Sequence, residues 1–267
     1  MRRVSIIYIC TGSYSSLWAD FYRSAESYFL PRHSKIYHIF TDNLELTIKV
    51  KKTVNCVPHT INHEPWPWPS LNRFQYITDI HQELIDEGSE ICVFINANAF
   101  FHQTVELSEL GLSENFKFVG VQHPGYSSLH SWLCPYERRT ALSCYVPWSY
   151  RGAYLQGCLQ GGYTQDFIKM AQELSTKTKT DTGQKLLARW HDESYWNHWA
   201  SKNRVRVLPP IYASPWEISS HYPEHARILM RVKPAGFRPS NGKPHRLRKP
   251  GVLVRAMVNR VLKRYRP

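Results

Sequence analysis

Two carboxamides interrupt an apolar run in the stretch ICVFINANAFF (91–101), where Asn96 and Asn98 flank Ala97. Buried amides need hydrogen-bond partners, so their place at the end of an Ile/Val/Phe strand asks for a reason. Their oxygens and NH₂ groups suit hydroxyl-rich ligands. To a hard divalent cation they offer only carbonyl dipoles, too little unless carboxylates help. A polar strand end with turn-forming Asn explains the stretch equally well. In WHDES (190–194), Asp192 and Glu193 stand side by side behind Trp190. Carboxylates can act as nucleophile or acid–base, although a His-Asp-Glu run in isolation is more often a helix N-terminus with favourable dipole charges. Arg231 and Lys233 in ILMRVKP (228–234) are cations that either serve an anionic ligand or begin a solvated basic tail.

These groups need elements to position them. VSIIYIC (4–10) reads as a strand and TGS (11–13) as a turn. Residues 14–30 carry Leu17, Phe21, Ala25, Tyr28 and Phe29 at helical spacing. Strands follow at 35–40 and 47–55, a helix at 71–86 beyond the Pro/Trp-rich 65–70, and a strand buried on both faces at 91–95. The second half has an apolar stretch at 116–125, a turn at 157–162 and helices at 164–175 and 182–199. Strand, turn and helix in alternation predict an α/β fold with a mostly parallel sheet covered by helices on both faces. Ligands in such sheets sit at the carboxyl ends of strands, where Thr11-Gly12, Thr41-Asp42 and the Asn pair fall. No internal repeat is evident.

Composition bounds the rest. A chain of 267 residues, 42% hydrophobic, buries one large core. Its 9 Trp and 16 Tyr suit sugar or base sites as well as cores. Six cysteines without metal spacing point to a reduced, cytoplasmic setting. No secretory signal or membrane-spanning run is read from the sequence. Thirteen Lys and Arg lie in 227–267, leaving 21 to balance the 21 acidic residues, so the net charge of +13 belongs to the tail. Residues 233–250 read as a connector and 251–267 as a basic amphipathic helix, which implies an anionic partner. The domain reading is a catalytic unit at 1–233 and a basic tail at 234–267.

The elements YICTGSY (8–14), IFTD (39–42), NAN (96–98), HPGY (123–126), YERR (136–139), GCLQGG (157–162) and WHDES (190–194) occur in this order. Together they resemble glycosyltransferase family 6, which holds the histo-blood-group A and B transferases and the α1,3-galactosyltransferases. The chain most resembles the short bacterial members. The resemblance covers about residues 4–233 and implies a single catalytic domain of the GT-A type. Animal members carry Asp-x-Asp where this chain has Asn96-Ala97-Asn98, whereas similar bacterial members with Asn-x-Asn work without a metal. No cofactor or divalent ion is therefore expected.

The site residues follow from the same resemblance. Tyr8, Ile9, Cys10, Thr11, Gly12, Ser13 and Tyr14 resemble the uridine-binding loop, with Tyr14 near the base and the main chain of 8–10 recognising it. Strand core is the alternative for Tyr8 and Cys10. Asn96, Ala97 and Asn98 complete the nucleotide site, with Arg231 and Lys233 over the diphosphate. Arg73 matches the arginine that links the donor sugar to the Asp-x-Asp region, though read alone it is a solvated helix residue. Gln156, Gly157 and Cys158 match the positions that set donor preference, and the bulk of Cys158 favours galactose over N-acetylgalactosamine. Asp192 is implied to hold donor-sugar hydroxyls and Glu193 to be the essential carboxylate of a retaining reaction. His123, Pro124, Gly125 and Trp190 fall on the acceptor side. Arg138 and Arg139 are structural, and Pro135 departs from the family's Thr.

The expectation is thus a retaining α1,3-galactosyltransferase that takes UDP-galactose, with UDP-N-acetylgalactosamine as the alternative donor. It acts on the 3-hydroxyl of a terminal galactose acceptor, fucosylated or not, in a surface glycan such as lipopolysaccharide. The tail suits peripheral contact with an anionic membrane, with a solvated tail as alternative. Nucleic-acid binding is disfavoured because the charge is confined to the tail. A sugar-binding pseudoenzyme is the remaining reading.

Overall fold

The computed structural model describes residues 1–216 and 225–234. The connector read at 233–250, from residue 235 on, and the amphipathic helix read at 251–267 lie outside the described residues. In chain order the elements are β1 (Arg3–Cys10), α1 (Trp18–Tyr28), β2 (Ser34–Thr41), α2 (Leu44–Val50), β3 (Cys56–Thr60), α3 (Trp68–Leu71), α4 (Arg73–Asp79), α5 (His81–Asp86), β4 (Ile91–Ile95), β5 (Ala99–Phe101) and α6 (Leu107–Leu110). There follow β6 (Phe118–Gln122), β7 (Leu155–Tyr163), α7 (Thr164–Gly183), α8 (Asp192–Ala200), β8 (Val205–Leu208), β9 (Ser214–Pro215) and β10 (Ile228–Met230).

Seven strands form the main sheet in the order β3-β2-β1-β4-β7-β6-β8. The pairs β3/β2, β2/β1, β1/β4 and β6/β8 are parallel. Strand β7 runs antiparallel to both β4 and β6. A small sheet of β5, β10 and β9 lies beside it. The α/β architecture is that of a GT-A domain. Side chains alternate along β1: Val4, Ile6, Tyr8 and Cys10 join one core with α1 and the small sheet. Ile7 joins a second core on the other face with α4, α5, α7 and α8. Strand β4 is buried throughout, as its uniform hydrophobicity requires.

Five local expectations are corrected. Residues 47–55 are not a strand: Asn43 caps α2 by accepting from the Leu46 N–H at 2.8 Å, and Leu46, Thr47 and Val50 are its buried face. The third strand forms afterwards, at Cys56–Thr60. The helix expected at 71–86 is broken into α3, α4 and α5. GCLQGG is not a turn but the middle of β7. Its glycines permit close approach, since a Cβ on Gly162 would lie 2.7 Å from the Lys117 carbonyl oxygen. Helix α7 runs past 175 to Gly183 because Thr178 and Asp181 are buried and Asp181 accepts hydrogen bonds from the Tyr195 and Ser143 hydroxyls, while α8 starts only at Asp192.

Antiparallel β7 decides where the site is. Its N-terminal residues lie beside the carboxyl ends of β4 and β6, with Leu159 opposite Ile95 and Leu155 opposite Gln122. The ends of β1, β4 and β6 and the start of β7 therefore meet at one edge.

Candidate active site

A cleft of about 490 Å³ opens at that edge, within the range of nucleotide-sized pockets. Ile9, Thr11, Gly12, Ser13 and Tyr14 form one wall, and Asn96, Ala97 and Asn98 lie beneath. Gly12 turns at φ 55°, which glycine adopts readily, and its N–H donates to Asp42 at 2.9 Å. Asp42, at the end of β2, also holds the His63 ring and thereby links this wall to the opposite one. Pairing of β1 with β4 stops at Ile7/Phe94, whereas pairing with β2 continues to Cys10/Thr41. Residues 8–10 thus have one main-chain edge without a strand partner. The Tyr8 and Cys10 side chains are core, with the Tyr8 hydroxyl donating to the Ala97 carbonyl at 3.3 Å.

Below the cleft is a network of buried charge. Arg73 is the first residue of α4 and only 4% exposed, not the solvated residue its sequence context allowed. Its guanidinium donates to the Gly157 carbonyl at 2.6 Å, pairs with Asp192 at 2.9 Å, and reaches Asn96 Oδ1 at 3.4 Å. It also lies 3.6 Å over the Phe94 ring. Asp192 and Glu193 open α8, where the dipole favours them. His191 before them holds the strained φ of 49°, which turns the chain into the helix. Glu193 is gripped by two donors, the Tyr154 hydroxyl at 2.7 Å and the Gly157 N–H at 2.8 Å. A Cβ on Gly157 would sit 3.2 Å from both Asp192 Oδ2 and Glu193 Cβ, so the residue must be small.

Burial dominates the protonation of this group. It pushes the Asp192 carboxyl up to about 6, although Arg73 pulls it down. Burial also raises Glu193 above the ordinary carboxylate range, against the Gly157 and Tyr154 hydrogen bonds. Lys233 lines the cleft; burial lowers its ammonium, while attraction to Asp192 and Glu193 acts the other way. Two cations and two acids thus face one another in a desolvated pocket, the setting in which pKa values are tuned for chemistry.

Other expected residues stand apart from this focus. The Arg231 guanidinium turns away to Asp20 at 2.7 Å. Its main chain serves instead: its N–H donates to the Asn98 carbonyl, and its carbonyl accepts from the Asn98 amide at 2.7 Å. Cys158 is buried in the first core, and Gln156 keeps a buried amide oxygen with no protein partner among the described residues. His123 follows β6, its N–H donating to the Tyr154 carbonyl and its Nδ1 accepting from Gly125. Pro124 completes that turn, its carbonyl accepting from the Ser127 hydroxyl. Trp190 packs on a small core that contains Tyr136 and Tyr154, and its indole N–H is likewise buried without a protein partner there. Arg139 pairs with Glu137 at 2.6 Å and Arg138 caps the Val146 and Pro147 carbonyls, both shaping that loop.

The sequence reading passed over the wall formed by His63, Glu64, Pro65 and Trp66, which face the 11–14 loop. Tryptophans in a proline-rich segment after an edge strand were the available signal. It also passed over Tyr154, which nothing in its local sequence marks.

The family described as Glycosyltransferase family 6 matches residues 3–235 of this chain. The chain belongs to glycosyltransferase family 6. It is 34% identical over 230 residues to the O-antigen biosynthesis glycosyltransferase WbnI of Escherichia coli, covering 86% of this chain and 94% of that protein. It is 24% identical over 213 residues to the globoside alpha-1,3-N-acetylgalactosaminyltransferase 1 of Gallus gallus, covering 78% and 61%. To the histo-blood group ABO system transferase 2 of Rattus norvegicus it is 26% identical over 196 residues, covering 72% and 57%. The match to the last two thus spans about three fifths of their length. As a family 6 glycosyltransferase the protein uses a nucleotide-sugar donor and a glycan acceptor. Among the described residues no helix is long and apolar enough to cross a membrane.

Proposed function

We propose that the protein transfers galactose from UDP-galactose to the 3-hydroxyl of a terminal galactose, with retention and without a divalent cation, in building a surface glycan such as O-antigen. The observation that carries this reading is the buried Arg73–Asp192–Glu193 network under the cleft, with Lys233 beside it.

The donor set at the floor is a poor metal site. Asn96 Oδ1 faces a guanidinium, Asn98 offers at most one neutral amide oxygen, its NH₂ donating to the Arg231 carbonyl, and among the described residues no three acid or imidazole groups converge there. Lys233 is then the fixed cation for the leaving diphosphate. The uridine lies against Tyr14 and the free edge of residues 8–10. Glu193, held by Tyr154 and Gly157, faces the sugar's anomeric carbon and steadies its positive charge, a role that serves covalent and same-face routes alike. Asp192 accepts from donor-sugar hydroxyls, and Arg73 keeps it ionised for that task. His123 and Trp190 receive the acceptor, with the indole N–H as an unspent donor. Residues 1–233 form the catalytic unit, and the tail contacts an anionic membrane where lipid-linked acceptors lie.

The preference for galactose rests on the resemblance of Gln156, Gly157 and Cys158 to the positions that set donor choice, not on steric exclusion by Cys158, whose side chain lies in the core. The test is turnover of UDP-galactose and UDP-N-acetylgalactosamine with fucosylated and unfucosylated galactosides in EDTA, the product's anomeric configuration being read by NMR. An α1,3-linked galactoside formed at full rate with chelator is expected. Activity abolished by EDTA and restored by Mn²⁺ would overturn the metal-free mechanism, and faster transfer from UDP-N-acetylgalactosamine would overturn the donor assignment.

A further inference from the structure

We propose that the protein carries a zinc site, distinct from the cleft, formed by His38, His59 and Glu83. The ligands come from three elements. His38 lies in β2 and His59 in β3, on the same face, because His59 is in register with Phe40, two residues on from His38. Glu83 comes from α5, which packs over that face. The three donor atoms lie within 4.8 Å of one another, and none of these residues lines the cleft.

The spacing suits a metal. His38 Nδ1 and His59 Nε2 are 3.0 Å apart, and His59 Nε2 is 3.9 Å from Glu83 Oε2. Ligand atoms of a tetrahedral zinc with bonds of about 2.0–2.1 Å are separated by about 3.3 Å. Small side-chain shifts therefore suffice. The outer contacts are also in place. His38 Nε2 meets Glu87 Oε1 at 2.9 Å, and that carboxylate takes a further hydrogen bond from Ser5 at 2.6 Å. A carboxylate on the far imidazole nitrogen fixes the tautomer that turns Nδ1 toward a metal. The His59 ring stacks on Phe40, with centroids 4.6 Å apart, and lies nearly parallel to the His38 ring, 5.3 Å away. His38 is buried and Glu83 exposed, so the metal enters from solvent and water fills a fourth position.

Two imidazoles and one carboxylate favour zinc over magnesium, calcium or manganese. The site's effect is to tie α5 to the two strands at one side of the sheet. Ligands from three separate elements leave no local motif, which is why sequence spacing did not show them.

The test uses the full chain stripped by chelator and titrated with Zn²⁺ against a chromophoric chelator. Wild type, His59→Ala and Glu83→Gln are compared by binding and by thermal unfolding. One zinc per chain at micromolar affinity or tighter is expected, with a rise in Tm. Glu83→Gln, exposed and harmless to folding, should weaken binding at least tenfold and erase most of the Tm rise, and His59→Ala should abolish binding. Absence of stoichiometric zinc at micromolar free metal, or binding unchanged in Glu83→Gln, would overturn the proposal.

Discussion

Replacing Arg73 by lysine probes the centre of the charge network while preserving charge. The guanidinium makes two short bonds at once, 2.6 Å to the Gly157 carbonyl and 2.9 Å to Asp192, and covers the Phe94 ring. An ammonium is a point charge and cannot serve both partners in that fork geometry. One charge-assisted hydrogen bond is lost, worth about 1.5–3 kcal/mol, and a buried carbonyl or carboxylate is left short of a partner. Arg73→Lys should therefore lower the folding free energy by about 2–3 kcal/mol, read as a fall in urea midpoint at constant slope. The second readout is protonation. Asp192 sits at about 6 because burial raises it while Arg73 restrains it. Weaker restraint raises it further, so the acid limb of kcat/KM should move up by about one pH unit, or about 1.4 kcal/mol. The linkage sign follows. The folded state binds the Asp192 proton more tightly than the unfolded chain, so this group's contribution to stability falls as pH rises from about 4 to about 6. In Arg73→Lys that falling window should extend upward. Neighbouring Glu193 couples to it, so the limb belongs to the pair. A double-mutant cycle with Asp192→Asn should show a coupling of at least about 1 kcal/mol. An unchanged midpoint and an unmoved acid limb would refute the network as described.

Three other outcomes are expected. Tyr154→Phe removes one of the two donors that favour ionised Glu193; kcat should fall about tenfold to a hundredfold, with the acid limb displaced upward, measured by a pH–rate series. Lys233→Gln should lower kcat by about two orders of magnitude while leaving the unfolding free energy within about 1 kcal/mol, checked by single-turnover kinetics and urea denaturation. Asn96→Asp with Asn98→Asp places two carboxylates on the cleft floor; transfer should fall in EDTA and recover in part with Mn²⁺, assayed in a His59→Ala background so that chelation of zinc has no bearing.

The site was legible to different depths for physical reasons. Alternation along β1 and unbroken hydrophobicity in β4 announce their place in a two-faced sheet, and the polar residues just beyond them mark its ligand edge. Strand β7 was hidden because its glycines read as a turn; they matter through close approach, which no local pattern encodes. Arg73 resembled a surface residue because only tertiary packing brings Phe94, Gly157 and Asp192 around it. The paired tail cations separated for a similar reason: Asp20, far away in the chain, claims the Arg231 side chain and leaves Lys233 at the cleft. Tyr154 had no sequence signal, since its hydroxyl matters only through the carboxylate it meets across the fold.

The peptide units at Gly157 have a consequence for how such an enzyme changes over generations. The residue's N–H steadies Glu193, and its carbonyl anchors the guanidinium that restrains Asp192. Under the proposed function, any substitution that reshapes positions 156–158 to admit another sugar therefore also displaces Asp192 and Glu193. Selectivity and speed cannot be adjusted independently here, and an altered donor preference will surface first as a slower enzyme, with compensating changes to be sought on α4 and α8.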